Sequence, residues 1–212
     1  MKQSVFLLGF FLFPLIPVVF YFTSAGAFYD TYSVSIVLGV YSFVLVCNQF
    51  YLASQPSWLI SFIGVKFIRS LHGSSPLLLL LLSSIHAILK LSIGFTITTI
   101  GAILGLTAFI LFFVGIFSAL LLFANTLLTK RSSFSKFRVK IFAKMDLTHQ
   151  KVRAIHNLMV VAGLFILIHA LLASTSTFTY NPIGVSILIV WMLFTLFVYL
   201  AYRLSGRKKR GK

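Results

Sequence analysis

Acidic side chains are almost missing from this chain, which has two Asp or Glu against 18 Lys or Arg among its 212 residues. Charged residues of both signs make up only 9%. With 59% hydrophobic residues and a mean hydropathy of +1.05, that scarcity excludes an ordinary soluble domain. Cysteine is limited to Cys47, inside an apolar run, which excludes a disulfide framework and a cysteine-ligated metal site. No glycine-rich nucleotide fingerprint is present, so the chain alone has no means of oxidising NAD(P)H. What the chain has instead is long apolar runs. At ~20 residues per span, 212 residues accommodate about six membrane helices and short loops, with no room for a soluble catalytic domain.

The expected architecture is therefore all-α: one integral membrane six-helix bundle occupying 1–212. Helix 1 is expected over Val5 to Phe22, kinked by Pro14 and Pro17. Its apolar part is too long for a cleaved signal peptide, so it reads as a retained first helix or signal anchor. Helix 2 is expected from Ser33 to Ala53. An amphipathic connector, SQPSWLISFIGVKFIRSLH, follows and reads as lying at the interface, with Trp58 and Phe62 beside Lys66 and Arg69. The remaining helices are expected over Leu71–Leu91, Thr99–Ala124, Arg153–Leu172 and Ile183–Leu204. Ser75-Pro76 is also a good helix start, which leaves His72 either at a kink or within a straight helix 3. Gly101, Gly105 and Gly115 permit close approach of neighbours to helix 4.

The net charge of +16 raises the question of nucleic acid, but the placement of the charge answers it. A basic loop over about 125–152 and a basic tail over 205–212 hold most of the Lys and Arg, and of all 18 only Lys90 falls on the opposite side of the bundle. By the positive-inside rule both termini, the connector and the long loop are cytoplasmic, which agrees with six spans. The same groups offer a surface to membrane lipid or an acidic partner, and no nucleic-acid binding is expected.

Four of the five histidines lie on helices 3 and 5. His72 and His86 are 14 residues apart, His156 and His169 are 13 apart, and these separations span ~21 and ~20 Å along a helix. Histidine is costly in hydrocarbon and persists there when it has a partner or a ligand. On two parallel helices the four form a ladder able to hold two flat metal-centred cofactors, since neutral imidazole is an axial ligand for haem iron. Rotation is less regular. Fourteen residues return His86 to the face of His72, whereas thirteen leave His169 about 140° away from the face of His156. A tilt, a local distortion or differently oriented cofactors must absorb that. His149 reads as a solvated residue of the basic loop.

The six helices, the histidine spacings of 14 and 13 on helices 3 and 5, and the QPSWLISFIGVKFIRSLH connector resemble the ferric reductase-like transmembrane domain family over nearly the whole chain. That family includes the membrane halves of ferric reductases and NADPH oxidases and the haem subunit of a membrane methionine sulfoxide reductase. The chain departs from it in Gly73-Ser-Ser-Pro76 after His72 and in lacking flavin and nucleotide domains. The resemblance implies two b-type haems, an inner one on His72 and His156 and an outer one on His86 and His169. Arg69 and Arg153 inside and Lys90 outside would meet haem propionates or serve as interfacial anchors. Gly163 would make room for a macrocycle or for helix packing. The implied function is the haem-bearing membrane component of an oxidoreductase, in a bacterial inner (plasma) membrane. Electrons would come from a separate cytoplasmic flavoprotein or a membrane quinol and pass to ferric iron, oxygen or a periplasmic reductase outside. A transporter or channel whose histidines line a proton or metal-ion path is the rival reading, and a cofactor-free membrane scaffold is a third.

Overall fold

The computed structural model describes residues 1–25, 29–123, 136, 140, 144, 148–173 and 178–209. Among these the chain is entirely helical, and six of its segments are long and apolar enough to cross a membrane. The predicted basic loop lies largely outside the described residues; Lys136, Lys140 and Lys144, which are described, are helical and exposed.

The first span is broken by its prolines into α1 (Lys2–Leu12) and α2 (Leu15–Ala25), as a residue without an N–H interrupts the hydrogen-bond ladder. The second span is α3 (Thr31–Ser54), capped by Asp30, whose carboxylate accepts from the Ser33 N–H at 2.7 Å. That bond holds the Asp30 carboxyl below its usual range. The connector is α4 (Ser57–Ile63), with Trp58 exposed and its indole N–H donated to the Tyr51 hydroxyl at 2.9 Å. Gly64 ends α4 at φ 87°, a backbone conformation that side chains other than glycine rarely adopt.

The third span, α5 (Val65–Ser92), starts earlier than the sequence suggests and continues through Pro76 without a break. His72 therefore lies inside a continuous helix, not at its start. Pro76 has no N–H to give the carbonyl of His72, and Ser74 and Ser75 turn their hydroxyls back onto the carbonyls of Ser70 and Leu71 in the same turn. The fourth span is α6 (Ile100–Phe123). The predicted helix 5 is two helices, α7 (His149–Asn157) and α8 (Met159–Leu172), separated at Leu158, whose N–H closes a tight turn on Ile155. The last span, α9 (Pro182–Lys209), stays helical beyond Leu204 and takes in much of the predicted tail.

Helix α3 is central. Phe43, Val44, Leu45, Val46, Cys47, Phe50 and Leu52 are all buried, so it is covered on every side, by α5, α9 and α2. In lipid there is little hydrophobic drive to bring helices together, so small residues and shape decide which backbones approach. Gly101, Gly105 and Gly115 of α6 do this against α8, meeting Leu172, His169 and Met159 in antiparallel register. Buried Asn48 ties three helices, accepting from the Trp191 indole of α9 at 3.0 Å and donating to the Phe10 carbonyl of α1 at 3.5 Å. Asn48→Leu should cost about 1 kcal/mol, the scale of a hydrogen bond between membrane helices. Thermal unfolding in detergent checks this; an unchanged melting temperature would show that the three-helix tie contributes nothing.

Candidate functional site

α5 packs on α3, and α7–α8 pack on α6, while α5 and α8 face each other mainly through histidine rings. His72 meets His156 with ring centroids 6.2 Å apart and planes at 87°. His86 meets His169 at 6.4 Å and 81°. The four histidines thus form two pairs, one toward each end of α5, which requires α5 and α8 to run in the same direction. The break at Leu158 resolves the rotation: His156 belongs to α7 and His169 to α8, so different helix axes aim the two rings.

The His86–His169 pair is seated on backbone. The Nδ1 of His86 lies 2.6 Å from the carbonyl of Ser35, and that of His169 lies 2.8 Å from the carbonyl of Gly101. A carbonyl only accepts, so each Nδ1 carries the proton and each Nε2 keeps its lone pair. In both cases a glycine stands one helical turn beyond that carbonyl. A Cβ on Gly39 would come within 2.9 Å of His86, and one on Gly105 within 2.7 Å of His169. The His72–His156 pair is different: both Nδ1 atoms are buried, with no hydrogen-bond partner among the described residues.

The geometry suits a metal ion with two axial imidazoles. With metal–nitrogen bonds of about 2 Å and ring centres about 1.2 Å behind the nitrogens, the centroids would lie about 6.3 Å apart. Both pairs match that separation. Among the described residues no group of three His, Cys, Asp or Glu could hold a metal ion, so the remaining ligands would have to come from a macrocycle. A cavity of about 330 Å³ opens between α5 and α6, lined by Leu80, Leu81, Ser84, Phe109, Ile110 and Phe113.

The basic candidates separate. Arg69 and Arg153 are exposed. Lys90 is half-buried, its ammonium held 3.8 Å from the centre of the Tyr32 ring and 4.4 Å from that of Phe95, with Asp30 and His86 within electrostatic reach. Arg203 of α9 lies within electrostatic reach of His156 and donates to the Tyr199 hydroxyl at 3.2 Å. Sequence reasoning missed Arg203, grouping it with the tail; its spacing of four from Tyr199 was the available signal. It also missed Ser35 and Gly39. Gly163 faces Phe50 and Leu196, which favours helix packing over room for a macrocycle. His149 opens α7, and its side chain lies outside the described residues. Comparison with protein-family models, curated proteins and solved structures found no match.

Proposed function

We propose that this membrane protein is a di-haem b-type electron conduit of the ferric reductase-like kind, with both termini cytoplasmic. The observation that carries the reading is the pair of histidine couples with near-perpendicular rings, 6.2 and 6.4 Å between centroids, at two positions along the bundle. Haem bound at each level would supply one-electron redox chemistry. The chain's own residues do the rest. His72 with His156, and His86 with His169, provide axial nitrogens; Ser35 and Gly101 fix the outer tautomers; Arg203 and Lys90 supply positive charge for propionates. The bundle excludes water between the levels. Electrons enter on the cytoplasmic side from a separate flavoprotein or a membrane quinol, and leave on the outer side to ferric iron, oxygen or a periplasmic reductase.

Purified protein tests this directly. Its visible spectrum should show b-type haem at two per chain, removable by acid–solvent extraction because no covalent attachment motif exists. The near-perpendicular imidazole planes should give a highly anisotropic low-spin ferric signal in electron paramagnetic resonance. Dithionite should reduce both haems, and NADPH alone should reduce neither. Colourless, well-folded protein from haem-replete cells would refute the proposal and favour a histidine-lined proton or metal-ion path.

A further inference from the structure

Resting on the haem reading, we infer that the Ser35–Gly39 and Gly101–Gly105 turns are positioning seats that hold the outer site at a lower reduction potential than the inner one. Both outer imidazoles donate Nδ1–H to a peptide carbonyl, at 2.6 and 2.8 Å. Such a bond fixes the ring and makes the other nitrogen a more basic ligand, which favours the oxidised metal. Among the described residues neither inner imidazole has a corresponding partner on its buried Nδ1.

Nearby charge does not offset the difference. Among the described residues a cation lies within electrostatic reach of a ligand at each level, Arg203 at His156 and Lys90 at His86. The seats exist because glycine leaves the ring room. Gly39 brings the α3 backbone to His86 and Gly105 brings the α6 backbone to His169, each at a distance that a methyl group would occupy. The functional consequence concerns order. In a singly reduced protein the electron rests at the inner level, and the outer level fills when a second electron arrives. An outer acceptor is then served chiefly by the fully reduced protein.

Potentiometric titration of the holoprotein tests this. His86→Ala leaves the inner site and His72→Ala the outer one; the protein retaining the inner site should titrate at the higher potential. Gly39→Ala and Gly105→Ala should each push a ring off its carbonyl, raising the outer potential and leaving the inner one in place. Gly73→Ala, beside His72 but with open space at its Cβ position, should move neither. Loss of the outer haem alone from Gly39→Ala would still support the seat as a positioning element, and the one-haem titrations then decide the order of potentials. Coincident potentials, a higher outer potential, or an equal shift of both sites in Gly39→Ala would overturn the inference while leaving the haem reading intact. Wild-type protein without haem would instead remove the reading on which it rests.

Discussion

Replacing His86 with alanine should lower haem content from two per chain to one, and His169→Ala should give the same spectrum. The two ring centroids lie 6.4 Å apart, so on the di-haem proposal either loss would leave that level with a single protein ligand. His72→Ala and His156→Ala should match each other and differ from the first pair, because theirs is the inner site, 6.2 Å between rings. Double replacement within a level should cost little beyond either single change, since both residues serve one site. Double replacement across levels, such as His72→Ala with His86→Ala, should empty the protein of haem. His149→Ala should leave the content at two. Haem extraction with the spectrum of each variant provides the measurement. If His72→Ala reproduced the spectrum of His169→Ala instead, the ladder would be crossed and the parallel arrangement of α5 and α8 would be wrong.

Some of this arrangement could be read from sequence for simple reasons. Six apolar runs longer than a bilayer is thick have few alternatives to spanning helices, and all six are present. The glycines of α6 read correctly as points of close approach, because a residue without a side chain in an apolar helix has few other uses. The break at Leu158 could not be read. Asn157, Leu158 and Met159 include neither proline nor glycine, and nothing in their helix propensity separates them from their neighbours. Pro76 misled in the other direction: as a good helix start it suggested a boundary, yet the helix runs through it with serine hydroxyls satisfying nearby carbonyls.

The site shows the same division. The histidines stand out as polar residues in apolar runs. Their seats do not, since Ser35 and Gly39 are ordinary small residues until α5 is laid against α3 and the His86 ring falls on them. Arg203 was hidden for a related reason. A basic residue at the end of a span is first an anchor, and its electrostatic reach to His156 follows only once α9 is packed beside α3 and α8.

That packing supplies a second large expected effect. Gly163→Leu should destabilise the bundle by about 3 kcal/mol, the upper part of the usual range for overpacking a filled core. Gly163 is buried where α8, α3 and α9 meet; a Cβ there would lie 2.7 Å from Phe50 Cε2 and 3.9 Å from Leu196 Cδ2. The Phe50 ring has little freedom to yield, because it is 5% exposed and already lies against Tyr199 at 5.6 Å between centroids. Alanine at 163 should cost less, about 1 kcal/mol, through a small displacement of that ring. Thermal unfolding of the detergent-solubilised protein, followed by circular dichroism, gives the comparison. Phe50→Leu should be destabilising alone, by the cavity it leaves, yet should recover part of the stability of Gly163→Leu, since the new side chain then fills the vacated space. If Gly163 instead served to admit a macrocycle, Gly163→Leu would lose haem while its haem-free form melted normally, and shortening Phe50 would rescue nothing.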